Sequence, residues 1–283
     1  MSNSEVQIAL SQAQQVMLEA DAVVILAGAG MGVDSGLPDF RGKEGFWRAY
    51  PPLAKFGYSF SDMANPIWFK RDPKLAWAFY GHRLNLYRET KPHPGFYQLL
   101  SFVQKKKHGY FVFTSNVDGQ FQKAGFNPEN IVECHGSIHH LQCTKHCGQM
   151  IWSAEETQVE VDMVSFKAQL PLPICLHCGA LARPNILMFG DCYWLSDRTD
   201  MQIEKWQHYL NTLRQQKVKT AIVEMGAGEN VATVRHQSEY VAHLLKMSLI
   251  RINPRDYQVP KKSDITLPLG ALAAIEQIVP VSF

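Results

Sequence analysis

Four short apolar runs, each ending in small or polar residues, constrain the fold of this chain more than any other feature. Ala22 to Ala27 (AVVILA) enters Gly28-Ala29-Gly30, and Tyr110 to Phe113 enters Thr114-Ser115-Asn116-Val117-Asp118. Thr220 to Val223 leads to Gly226-Ala227-Gly228, and Leu249 to Ile252 ends in Asn253-Pro254. Short β-branched runs without polar interruption read as parallel strands covered on both faces. In an open parallel sheet the ligand crevice lies beyond the carboxyl ends of the strands, so the residues after each run are the candidates for chemistry.

Helical spacing marks the stretches between them, such as Pro73 to Glu89 and Asp200 to Lys217. Two segments interrupt the alternation: residues 44–92, rich in aromatics, and 139–182, which hold two cysteine pairs. The expected fold is therefore α/β, a Rossmann-like open parallel sheet (1–43, 93–138 and 183–283) with a small lobe made of a helical insertion and a zinc-ribbon insertion. With 28 Lys plus Arg against 26 Asp plus Glu, the charge is too balanced for a nucleic-acid scaffold or a polybasic membrane anchor. The first 24 residues carry Glu5, Glu19 and Asp21 and no basic cluster, which reads as an amphipathic helix leading into a strand. No apolar stretch reaches the roughly 18 residues of a membrane span. A soluble, cytoplasmic protein is expected.

Cys143 and Cys147 bracket three residues and Cys175 and Cys178 bracket two. In a chain without an export signal, two such knuckles predict a closed, structural zinc site of four thiolates. His139, His140, His146 and His177 lie near enough in sequence to compete as ligands. Cys134 and Cys192 are left over, and Cys134 is expected to pack as a small buried side chain.

Gly28, Gly30 and Gly32 let a backbone approach a diphosphate closely. Val33 stands where the usual dinucleotide fingerprint has its third glycine, and no clear acidic residue follows about twenty residues on, which disfavours an ordinary dehydrogenase. The longer string from Ala27 through Gly-Ala-Gly-Met-Gly-Val-Asp-Ser-Gly-Leu-Pro-Asp-Phe to Arg41-Gly42 closely resembles the sirtuin family. So do TSNVDGQFQKAG at Thr114 to Gly125, His135-Gly136, the paired cysteines, Arg183 to Asp191, Gly226 and Ile252-Asn253, in the family's order.

That resemblance implies an NAD-dependent protein lysine deacylase, with NAD as co-substrate and acyl-lysine proteins or peptides as partners. It implies that Ala27, Gly28, Ala29, Gly30 and Arg41 hold the NAD diphosphate and ribose. Asp39 and Phe40 would sit on the loop closing over the nicotinamide, and Asn116 and Asp118 would line the nicotinamide pocket. Ser115, Gly226, Ala227, Gly228 and Asn253 complete the implied cofactor set. His135 would be the general base for a ribose hydroxyl, and a side chain that titrates near neutrality suits that transfer. Tyr80 and Arg83, three apart on a probable helix, resemble the Tyr-x-x-Arg pair that binds the carboxylate of succinyl- or malonyl-lysine. Met188, Phe189 and Gly190 match the strand on which the family lays an extended substrate peptide.

Three positions depart from the family pattern. Gly32 replaces a serine, Ser115 replaces the glutamine of a TQN string, and Ala227-Gly228 replace Thr-Ser. Each removes a polar contact near NAD, at about 0.5 to 1.5 kcal/mol per lost hydrogen bond. Two other readings stay open on the sequence: ADP-ribose transfer to a protein or to water at the same site, and a nucleotide-sensing module with negligible turnover. Retention of His135 favours deacylation over transfer.

Overall fold

The computed structural model describes residues 1–38, 43–55 and 57–280. In chain order its strands are β1 (Ala22–Ala27), β2 (Tyr110–Thr114), β3 (Ile131–Glu133), β4 (Gly136–Cys143), β5 (Trp152–Ser153), β6 (Val161–Asp162), β7 (Lys167–Ala168), β8 (Ala182–Ile186), β9 (Thr220–Met225), β10 (Leu249–Ile252) and β11 (Ile265–Leu267). Six of them form one sheet in the order β11-β10-β9-β1-β2-β3, with every neighbouring pair parallel. The chain builds outward from β1 to β3, then returns to the far side of β1 with β9. At such a reversal the loops after the two central strands leave in opposite directions and a crevice opens between them.

Helices of eight or more residues are α1 (Asn3–Glu19), α2 (Pro73–Glu89), α3 (Pro94–Val103), α4 (Asp197–Gln215), α5 (Thr233–Leu245) and α6 (Ala271–Ile278). Val23, Ile25 and Ala27 of β1 face a core shared with α1, α3 and α6. Ala22, Val24 and Leu26 face a second core shared with α4 and α5. Alternate side chains thus serve opposite layers, which is why an unbroken apolar run was required. Capping fixes the helix starts: Ser2 and Glu5 form a capping box on α1, and Asp72 accepts from the Leu75 amide ahead of Pro73 on α2.

Three features differ from the sequence reading. β9 continues past Val223 to Met225 because Glu224, fully buried, faces its register partner Arg251 on β10. Arg251 donates to both Glu224 oxygens, at 2.7 and 2.9 Å, and to Glu239 at 2.8 Å, so the charges compensate each other inside the sheet. β11 and α6 at the C-terminal end were not read from the sequence. α4 begins at Asp197, three residues earlier than read.

The small lobe holds a sheet in the order β5-β4-β8, the β6–β7 hairpin and α2. The stretch around residues 44–92 contains, ahead of α2, the short helices Lys43–Ala49, Pro51–Lys55, Phe60–Met63 and Trp68–Arg71. Phe46, Tyr50, Trp77, Phe79, Ile138 and Leu141 form a core separate from those of the large sheet, and Ala182, Ile186 and Met188 belong to it. β8 therefore packs into this core and pairs with β4. Asn185 secures it, donating to Gln142 at 2.9 Å and to the Leu195 carbonyl at 2.8 Å. Among the described residues no helix is long and apolar enough to cross a membrane.

Candidate active site

The turns after β1 and β9 meet at the point of reversal. Gly226 has φ +62°, and a Cβ added there would lie 2.4 Å from Cα of Gly30. A Cβ on Gly28 would come 2.7 Å from the Gly226 carbonyl oxygen. The amides of Gly28 and Gly30 donate to the carbonyls of Met225 and Gly226, and those of Met31 and Gly32 to Gly28 and Ala29. These glycines thus close two strand-end turns on each other, and the helix that follows, Gly30–Val33, is a single turn. Asn253 at the end of β10 joins the set, donating to the Ala227 carbonyl at 2.9 Å while its own oxygen accepts from Arg255 and Asp256. Ala227 is buried in the core under α5, and Gly228 continues the turn. Asp39, Phe40 and Arg41 lie outside the described residues.

Beside these turns a cavity of about 270 Å³ opens at the ends of β1, β2 and β3. Ala29, Ser115, Asn116, Asp118, His135, Tyr80, Arg83, Met188 and Phe189 all line it, so residues chosen from five separate sequence segments converge. Asn116 is locked by two bonds: its amide N–H donates to Thr114 Oγ1 at 3.0 Å, and its side chain donates to the Gly28 carbonyl at 2.9 Å. Asp118 accepts from the Gln120 amide at 2.9 Å. Burial of its carboxyl outweighs that bond and pushes its pKa up to about 6. His135 follows β3, and its Nε2 lies 3.4 Å from Thr233 Oγ1 in the first turn of α5.

Tyr80 and Arg83 share one face of α2 and are 1% and 5% exposed. Burial pushes the Tyr80 phenol up to about 12, so it remains a hydroxyl donor at neutral pH, yet its oxygen has no hydrogen-bond partner among the described residues. The Arg83 guanidinium lies 5.3 to 5.6 Å from the ring centres of Phe60, Phe79, Tyr80 and Tyr87. Its Nε and Nη2 donate to the Tyr87 hydroxyl at 3.1 and 3.0 Å. This is a buried cation in an aromatic box, each ring contributing about 0.5 to 2 kcal/mol. It is not a solvated arginine beside a core tyrosine.

Met188, Phe189 and Gly190 lie beyond the end of β8 in a turn, with Gly190 at φ +67°. The Phe189 amide donates to the Ala64 carbonyl at 2.9 Å, and Asp191, paired with buried Arg183, accepts from the Met188 amide at 3.4 Å. Those contacts hold the segment in place at the mouth of the cavity.

The four Sγ atoms of Cys143, Cys147, Cys175 and Cys178 all lie within 4.8 Å of one another. Zinc–sulfur bonds of about 2.3 Å set tetrahedral S···S edges of about 3.8 Å. The Cys143–Cys178 and Cys147–Cys175 separations are 3.7 and 3.5 Å, which fit a zinc ion and are far too long for disulfides. His177 Nδ1 lies 3.4 Å from Cys147 Sγ, beside the cluster, while His139 Nε2 is turned away to the Asp118 carbonyl at 2.9 Å. Cys134 is half-buried and packs against the α4–α5 core.

Several lining residues escaped the sequence reading. Tyr87 had a usable signal, four residues after Arg83 on the same helix. Phe60, Ala64 and Val231 had none, because they reach the cavity only through tertiary packing, and Thr233, outside the lining, meets His135 in the same way.

The Sir2 family model matches residues 28–213, more than half of the chain. A protein of Pyrococcus furiosus named NAD-dependent protein deacylase is 34% identical over 184 residues, covering 64% of this chain and 66% of that protein. A Thermus thermophilus protein of the same name is 34% identical and covered to 64% of its length, so the matched stretch spans just under two thirds of these relatives. The Aquifex aeolicus protein of that name is 25% identical over 256 residues, 90% of this chain and 93% of that one. A solved Sir2 homologue in complex with NAD superposes with a TM-score of 0.69 at 23% identity, covering 95% of this chain and 92% of that chain. The matched stretch runs from the glycine turn through the cysteine lobe into α4, and on this ground the chain belongs to the Sir2 family.

Proposed function

We propose that this protein is an NAD-dependent protein lysine deacylase whose cavity also accepts acidic acyl groups. The observation that carries the reading is the convergence of His135, Asn116, Asp118, Tyr80 and Arg83 on one cavity of about 270 Å³. That volume suits a nicotinamide ring or the end of an acyl-lysine chain and is too small for a whole dinucleotide, which would extend over the strand-end turns. Bound NAD would supply an electrophilic ribose carbon, where the acyl-lysine carbonyl oxygen displaces nicotinamide; a ribose hydroxyl would then add to the acyl carbon, and water would release free lysine and O-acyl-ADP-ribose.

The chain's own residues bind, orient and move a proton. Asp118 as a carboxylate accepts from the carboxamide of the nicotinamide, and Asn116, locked against the Gly28 carbonyl, fixes the wall beside it. His135 takes the proton of a ribose hydroxyl. Tyr80 and Arg83 receive a distal carboxylate when the acyl group has one, and the unpartnered Tyr80 hydroxyl supports that use. The turn at Met188–Gly190, with exposed Phe189, borders the mouth where the peptide backbone would lie. Four thiolates leave zinc no open position, so its part is to hold the small lobe.

The test is mass spectrometry of the purified protein with NAD and matched acetyl-, succinyl- and malonyl-lysine peptides, beside His135→Ala. Peptide-dependent O-acyl-ADP-ribose that disappears in the variant is expected. Nicotinamide release without peptide, or ADP-ribose added to protein, would replace the reading with hydrolase or transferase chemistry.

A further inference from the structure

We propose that His139 is a positioning residue for Asp118, acting across the boundary between the lobes; this rests on the reading of Asp118 as the group that orients the nicotinamide amide. His139 stands on β4, the strand that starts beside His135 and ends at Cys143. Its Nε2 lies 2.9 Å from the Asp118 carbonyl oxygen, which can only accept, so Nε2 carries the proton. Burial pushes the His139 pKa below the ordinary histidine range, which keeps the ring in that neutral form.

The loop beyond Asp118 is built to admit this ring. Gly119 has φ +71°, and a Cβ there would stand 2.8 Å from His139 Cδ2 and 2.9 Å from Nε2. One residue earlier, the Ile138 amide donates to the Val117 carbonyl at 3.1 Å. Asp118 is thereby held from two sides: its carboxylate by the Gln120 amide, and its carbonyl by His139. Since glycine at 119 tolerates either hand of backbone, the Asp118–Gly119 peptide plane depends on the histidine for its orientation. The carboxylate direction depends on it in turn. A small-lobe strand therefore sets the geometry of a large-domain loop at the reacting end of the cavity.

His139→Phe keeps a ring against Gly119 and removes the donor, whereas His139→Gln restores a donor at similar reach. The expected result for His139→Phe is a fall of about ten- to a hundredfold in kcat/KM for NAD. KM for the acyl peptide should stay within about twofold, with zinc content and melting temperature near those of the parent. His139→Gln should recover most of the loss, and His139→Phe combined with Asp118→Asn should lose little more than Asp118→Asn alone. Equal losses for NAD and peptide, no rescue by glutamine, or full additivity with Asp118→Asn would overturn the proposal. If the Phe variant does not fold, the Gln variant still decides, since a folded His139→Gln protein as impaired as Asp118→Asn also overturns it. Parent-like activity of Asp118→Asn would instead sink the underlying reading of Asp118.

Discussion

Replacing Tyr80 by phenylalanine should raise stability and lower one activity selectively. The ring is 1% exposed and stacks on Phe69 with centroids 5.7 Å apart, contacts that phenylalanine keeps. The hydroxyl has no hydrogen-bond partner among the described residues, and an unsatisfied buried hydroxyl costs about 1 to 3 kcal/mol. Tyr80→Phe should therefore add about 1 to 3 kcal/mol to the unfolding free energy, with a melting shift of roughly 2–4 °C per kcal/mol for a domain approaching this size. With an acidic acyl chain bound, the same hydroxyl gains a carboxylate. Losing a hydrogen bond to a charged group costs about 1.5 to 3 kcal/mol, a drop of about ten- to a hundredfold in kcat/KM on succinyl-lysine. Activity on acetyl-lysine, which has no carboxylate to bind, should stay within about twofold. Thermal denaturation without ligands and paired kinetics on the two peptides read both effects. A lower melting temperature would show that the hydroxyl is already satisfied, and equal losses on both peptides would refute the carboxylate pocket.

Three further outcomes follow from the same geometry. Because burial raises the folded Asp118 pKa from 3.8 to about 6, its favourable contribution is complete below pH 3.8 and is lost as pH rises through about 6. The loss is about 3 kcal/mol, at about 1.4 kcal/mol per tenfold change in the ionisation constant, so Asp118→Asn should flatten the stability profile between about pH 4 and 6 and be the more stable protein above it. Gly226→Ala should cost at least about 2 kcal/mol in chemical denaturation and weaken NAD binding in calorimetry, since its Cβ meets Gly30 and its φ of +62° is strained; parent-like values for both would show that the two turns can separate freely. Metal analysis should find one zinc per chain, and chelation should bring proteolytic cuts within 144–181 before any in the six-stranded sheet. Cuts in the sheet first would contradict a zinc role confined to the small lobe.

Much of this was legible in the sequence wherever a local pattern and a tertiary requirement coincide. β1 and β10 run from the first to the last residue of their apolar stretches, and α2 spans the residues its spacing marked. The cysteine spacing foretold the S₄ cluster because chelation imposes a local geometry. Legibility failed where one residue's meaning depends on a distant partner. The apolar run from Thr220 stops at Val223, and β9 continues through Glu224 because Arg251 lies beside it. β8 forms where β4 supplies its pairing, a contact between segments distant in sequence.

The glycine turn shows how a correct motif can rest on an incomplete physical reason. Glycines let a backbone approach a diphosphate, but the amides of Gly28, Gly30, Met31 and Gly32 are already spent on carbonyls within the protein. What the missing side chains provide is contact between the turns of β1 and β9, with Gly226 seated against Gly30. That contact fixes the carbonyl of Gly28, which holds Asn116, and Asn116 stands at the wall of the cavity with Asp118 two residues on. The glycines therefore act on the reacting end of the site through a chain of backbone contacts. A substitution at Gly226 should disturb nicotinamide placement although its own atoms lie outside the cavity lining. The same logic explains why Gly32 and Ala227 can lack the family's hydroxyls. Ala227 sits in the α4–α5 core and holds Asn253 through its carbonyl, and Gly32 packs against Leu37, so both positions serve the closure of the turns with backbone and volume alone.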